Sequence, residues 1–233
     1  MRPLTAIRPK ALCPVNNVPL VDLALAAVAR ATAEVAVNVH HGRQLMESHL
    51  AGRVHISFEE EQPLGTAGAV GHLRDWLDGR GVLIVNADTW HQADLAAFAE
   101  GWDGERIRLL LAQEPGIRLG PSSVICASLL PWAEARKLAA EPAGLYEVCW
   151  RQAAAESRID ECWFDGPVIP CDTPGDYLTA NLTASGGQSV VGPGSLIEGQ
   201  IDECVVWPAS HVRPEERLHR VIRVGKRLTV MVR

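Results

Sequence analysis

Apolar positions recur at helical spacing in PLVDLALAAVARA (Pro19–Ala31), directly behind a proline, and predict a first helix. EVAVNVH (Glu34–His40) has the short, β-branched run of a buried strand. GRQLMESHLAG predicts a second helix with Gly52 as its stop, and VHISFEEE (Val54–Glu61) alternates as a strand does. TAGAVGHLRDWLDG (Thr66–Gly79) predicts a helix with Thr66 as N-cap. VLIVNAD (Val82–Asp88) is the strongest strand in the chain. ADLAAFAEGW follows as a helix and IRLLLAQE as a strand. Leu129–Ser157 reads as mostly helical, and PGDYLTANLTAS (Pro174–Ser185) as a helix with proline in its first turn.

Strands alternating with helices predict a Rossmann-like α/β domain with a mostly parallel sheet covered on both faces. Ligands of such sheets lie beyond the carboxyl ends of the strands. That directs attention to the loop after Glu59, the end of VLIVNAD and the opening MRPLTAIRPKALCPV. After the glycine pair at 186–187 the pattern changes: Val206, Val212, Leu218 and Val224 recur every six residues. That period suits a short left-handed β-helix, with a β-rich tail of accidental spacing as the plain alternative. The expected division is a core over 1–186 and a hexapeptide-repeat-like tail over 187–233.

Hydrophobic residues make up 47% of the 233 positions, as in a soluble globular protein. Apolar stretches fall short of the ~20 residues of a membrane span, so no membrane partner is expected. A net charge of −6 argues against a nucleic-acid partner. Six scattered cysteines without a C-x-x-C pair argue against zinc, and reduced thiols in a cytoplasm are the expectation.

Three segments carry chemistry. Asp88 ends its apolar strand in a carboxylate, where a hard cation such as Mg²⁺ is held together with phosphate oxygens, or where the residue merely caps the next helix. In EEEQPLGTAGAV, the small residues Gly65, Thr66, Ala67 and Gly68 stand where a strand turns into a helix. They admit a base or phosphate to the backbone, or simply make a tight turn. Lys10 lies between prolines that restrict its backbone, suited to offsetting polyphosphate charge, or it is an ordinary solvated lysine.

Together these segments resemble the sugar-phosphate nucleotidyltransferases. Members carry G-G-x-G-T-R followed by L-x-P-L-T-x-x-x-P-K-x-L-x-P-V, and this chain has M-R-P-L-T-A-I-R-P-K-A-L-C-P-V. PLGTAGAV resembles the family's base-binding loop, VLIVNAD its metal-binding strand end, and DTPGDYLTANL (Asp172–Leu182) its late G-T-P-x-x-Y-x-x-A-N segment. The tail resembles the short β-helix of many members. The resemblance implies transfer of a nucleotidyl group from an NTP to a sugar 1-phosphate. Lys10 would be catalytic, and Asp88 and Asp172 would hold Mg²⁺. Pro63, Leu64, Gly65, Thr66, Ala67, Gly68 and Asn86 would meet the nucleotide, and Glu147, Thr173 and Asn181 the sugar. It admits homo-oligomers through the tail.

Aligned this way, the first strand and the glycine-rich loop belong to the left of Met1. Either the start lies further upstream or the product is shortened, and without the loop little turnover is expected. Pro170 stands where members have aspartate, with Asp172 in their glycine slot, and AQEPG (Ala112–Gly116) lacks the lysine of their E-K-P. These departures favour a non-catalytic, nucleotide-binding homologue as regulatory or assembly subunit. Intact PKALCPV, LGTAG and VNAD favour the enzyme.

Overall fold

The computed structural model describes residues 1–112 and 119–232. Most of the AQEPG segment, from Gln113 to Gly116, lies outside the described residues. The elements that matter here are α1 (Leu20–Val28), β1 (Ala36–Val39), α2 (Arg43–Leu50), β2 (His55–Phe58), α3 (Gly65–His72), β3 (Val82–Val85), β4 (Ile107–Leu111), β5 (Ile125–Leu130), β6 (Ile159–Trp163) and α4 (Pro174–Ala184). No helix among the described residues is long and apolar enough to cross a membrane.

The chain divides into two compact units, one of Met1–Ala24, Ala87–Trp90 and Ile169–Arg233, the other of Leu25–Asn86 and His91–Val168. In the second unit β1 and β2 pair in parallel, Ala36 opposite His55 through Val39 opposite Phe58. α2, which links them, buries Met46 and Leu50, one turn apart on one face. The larger sheet runs β3–β5–β4–β6. It is mixed, a correction to the mostly parallel expectation: β5 runs antiparallel to both β3 and β4, and only β4 and β6 are parallel. Cys126 through Leu130 are buried, as a central strand requires. A continuous apolar run reports burial on both faces but carries no direction, and direction is where the reading failed.

Two open edges face a common space in this unit. Among the described residues β1 pairs only with β2, and β3 only with β5. Val35 and Ala36, together with Val82 and Leu83, line a cavity of about 310 Å³ closed by apolar neighbours such as Trp76 and Trp102.

Leu129–Ser157 is less helical than its spacing predicts. β5 continues to Leu130, Trp132–Ala135 makes one turn, and helix resumes as a π-helical Tyr146–Trp150 that runs into a short α-helix, Arg151–Ala155. The stretch between is irregular and is bonded to the start of α3. The Ala67 N–H donates to the Ala143 carbonyl, and the Ala143 N–H to the Leu64 carbonyl, both at 3.0 Å. Close approach needs glycine: a Cβ on Gly68 would lie 2.2 Å from the Glu141 carbonyl oxygen, and one on Gly71 2.4 Å from that of Ala139. Tertiary packing here overrides local propensity.

The first unit is built on α4 and the tail. Pro14–Val15 and Val18–Pro19 form a hairpin whose turn residues, Asn16 and Asn17, both have positive φ, as a type I′ turn requires. In the tail, Val190 pairs in parallel with Val205 and Val205 with Ile222; Leu196 pairs with His211 and Gln200 with Arg217. The chain therefore returns to the same strand position after 15 or 17 residues, a coil of short parallel ladders. It closes with an antiparallel hairpin, Val221–Val224 against Leu228–Met231. Val206 and Val212 are buried and Leu218 and Val224 half-buried. The core of the unit gathers Leu4, Cys13, Val15, Leu20, Tyr177 and Trp207.

Candidate active site

Pro9 holds an extended conformation (φ −53°, ψ 145°) and delivers the chain into a single 3₁₀ turn, Lys10–Leu12, closed by the Cys13 N–H on the Lys10 carbonyl. The lysine is not a solvated surface residue. Its ammonium donates to Asp88 Oδ2 at 2.8 Å and to Asp172 Oδ1 at 2.6 Å. The Cys171 N–H donates to the Asp88 carbonyl at 3.0 Å, which lays the two acidic segments side by side. Thr173, next to Asp172, caps α4. Its hydroxyl accepts from the Asp176 N–H while the Asp176 carboxylate accepts from the Thr173 N–H, a reciprocal capping box.

Burial by itself would lower the Lys10 pKa; the hydrogen bonds and charges of Asp172 and Asp88 outweigh it and leave the ammonium raised above its ordinary value. Lys10 is thus a fixed cation with two carboxylates on it. The α-ammonium of Met1 donates to the Asp172 carbonyl.

The two carboxylates supply hard oxygen donors facing one point. Among the described residues no group of three or more His, Cys, Asp or Glu side chains is arranged to hold a metal. Two carboxylates without further protein ligands fit Mg²⁺, which keeps several waters and binds jointly with substrate phosphates. They do not make a closed structural cage. Pro170, in the short strand Val168–Pro170, contributes no ligand, whereas Asp172 reaches the same ammonium as Asp88.

Asn181, expected at the sugar, is fully buried; its Oδ1 accepts from the Asn16 N–H and its Nδ2 donates to the Tyr177 carbonyl. Its amide helps to hold the hairpin turn. Thr173 is exposed, with its hydroxyl engaged in the cap.

The remaining predicted residues belong to the second unit. Gly65 has a φ of +66°, and α3 starts there with Leu64 rather than Thr66 at the N-cap position, since no side chain caps it. Pro63 and Asn86 are exposed; Leu64 and Thr66 are half-buried; Ala67 and Gly68 are buried against the Glu141–Ala143 stretch. Glu59 holds the loop, and sequence reasoning missed it. It is 6% exposed; one carboxylate oxygen accepts from the Leu64 N–H and the other from Asn38 Nδ2. The only signal was its place at the end of β2, hidden in a run of three glutamates. Glu147 is exposed at the start of the Tyr146–Trp150 turn, its carboxylate against Gly144, where a Cβ would come within 2.3 Å of Oε2.

A model of the MobA-like NTP transferase domain matches residues 4–228. The chain belongs to that family. Within it, the chain is 39% identical over 124 residues to the N-acetylmuramate alpha-1-phosphate uridylyltransferase of Caulobacter vibrioides. That match takes in 48% of this chain and 51% of the relative, so the chain spans about half the length of the curated relative it matches. Among solved structures, the mannose-1-phosphate geranyltransferase of Thermus thermophilus superposes with a TM-score of 0.67 at 14% identity, over 96% of this chain and 88% of that one. A putative glucose-1-phosphate thymidylyltransferase from Bacillus anthracis gives 0.64 at 13% identity, over 79% and 89%. These structural likenesses establish a shared mixed α/β nucleotide-sugar-transferase fold. The family match covers the Lys10, Asp88 and Asp172 cluster and the Pro63–Gly68 loop alike.

Proposed function

We propose that this MobA-like NTP transferase is a sugar-1-phosphate nucleotidylyltransferase whose reactive centre is the Lys10–Asp88–Asp172 cluster. The observation that carries the reading is one ammonium held at 2.6 and 2.8 Å by two carboxylates from distant segments. In this reading an oxygen of the sugar 1-phosphate attacks the α-phosphorus in line; the bond between α-phosphorus and bridging oxygen breaks and pyrophosphate leaves. The nucleophile is already anionic, so no general base is needed. Two polyanions must be brought together, and catalysis is positioning plus charge stabilisation. Lys10 offsets charge at the reacting phosphate. Asp88 and Asp172 would hold Mg²⁺, which would supply positive charge to offset that of the phosphates. The Pro63–Gly68 loop and Asn86 are the residues this reading assigns to the nucleotide, and Glu147 and Thr173 those it assigns to the sugar. UTP with N-acetylmuramate α-1-phosphate is the first pair to try, after the curated relative.

The same reading gives the tail coil a left-handed turn. Pyrophosphate release with Mg²⁺, over the common NTPs and sugar 1-phosphates, tests the proposal. Release that requires both an NTP and a sugar 1-phosphate is expected. Nucleotide binding with no pyrophosphate release would reject transfer in favour of a non-catalytic binding subunit.

A further inference from the structure

Lys10 and Asp172 meet from opposite ends of the sequence, so their spacing needs a third party. Tyr177, fully buried in the first turns of α4, is placed to set it. Its hydroxyl donates to the Pro14 carbonyl and accepts from the Trp207 indole N–H at 2.9 Å. An indole N–H can only donate, so the tyrosine proton has one direction left, toward Pro14. Burial pushes the phenol far above its ordinary pKa and keeps that proton on. The Trp207 ring packs edge-on to Tyr177 at 6.5 Å between centroids and carries the Arg8 guanidinium 4.5 Å above its own ring. One turn along α4, Asn181 receives the Asn16 N–H. The segment Arg8–Asn16, with Lys10 inside it, is therefore gripped by the helix whose first residues follow directly on Asp172.

We propose that Tyr177 is a positioning residue that fixes the spacing of Lys10 and Asp172, and that Trp207 of the tail coil in turn fixes Tyr177. This rests on the reading that Lys10 and Asp172 share the reactive centre.

The test uses the full chain. In a crystal structure of Tyr177→Phe, Lys10 Nζ and Asp172 Oδ1, now 2.6 Å apart, are expected to separate by about 1 Å or more, with kcat reduced roughly ten- to a hundredfold and KM within about twofold. In a Lys10→Met background the same change should cost no further activity. Leu178→Val, at an equally buried neighbour on the same helix, is the control and should lower the melting temperature while leaving both spacing and kcat. An unchanged spacing, an additive double variant, or an equal kcat loss in the control would overturn the proposal. If Tyr177→Phe does not fold, Trp207→Phe is read in the same way, with a smaller effect of the same sign expected. Complete absence of pyrophosphate release from the parent protein would defeat the transferase reading alone, because the crystallographic spacing still decides positioning.

Discussion

At the scale of single residues, the lysine between prolines acquires its meaning from its two partners. The side chains of Asp88 and Asp172 are 42% and 71% exposed, and ion pairs this open to water are worth only ~0–1 kcal/mol. Lys10→Met is therefore expected to move the melting temperature by less than about 4 °C. Its cost should fall on pyrophosphate release. Asp88→Asn keeps the shape of the side chain and leaves the backbone link to Cys171 untouched, so the fold should survive. Removal of its charge is expected to lower kcat by about 10²–10³-fold, measured as initial rates in saturating Mg²⁺. A variant that kept most of its rate would place the reaction elsewhere.

At the scale of elements, glycines in helices divide by what surrounds them. A Cβ on Gly68 meets a backbone carbonyl that cannot move aside, so Gly68→Ala should cost about 2–3 kcal/mol in urea unfolding. Gly175, inside the first turn of α4, has nothing closer than 3.5 Å to an added Cβ. There alanine should stabilise by about 0.5–1 kcal/mol through helix propensity. Thr173→Ala removes the capping box and should cost about 1 kcal/mol. It should also depress kcat, because the residue it frees is Asp172. The start of α4 was legible beforehand in its proline, which suits a first helical turn whatever the surroundings. The Thr66 cap does not form, because α3 begins at Gly65, where Ala143 takes up a backbone N–H and donates its own.

At the scale of the whole molecule, buried thiols tie stability to alkaline pH. Burial raises Cys13, Cys126 and Cys171 from 9.0 to about 12, and Cys149 to about 11. A thiol kept neutral by burial stabilises the fold fully below its unfolded pKa, and that contribution is lost as pH rises through the folded value. Stability should hold up to about pH 9 and fall steadily toward pH 12, as followed by urea midpoints at stepped pH. At pH 8 a thiolate-directed alkylating reagent should label Cys162 first, since it is half-buried whereas the others are buried. Rapid labelling of Cys13 or Cys171 in the native protein would contradict the packing of the first unit.

By itself the sequence determined the family, the order of motifs, the ends of α4 and the residue types of the Lys10, Asp88 and Asp172 cluster. Those are local properties: turn chemistry, apolar period and charge at fixed offsets all act between near neighbours. Tertiary structure alone decided that Asp172 shares an ammonium with Asp88, that Asn181 faces inward, that Glu59 holds the loop ahead of α3 and that β5 runs against its neighbours. Each of these depends on which distant segment lies alongside, and neither an apolar run nor a lone carboxylate encodes the direction or identity of its partner.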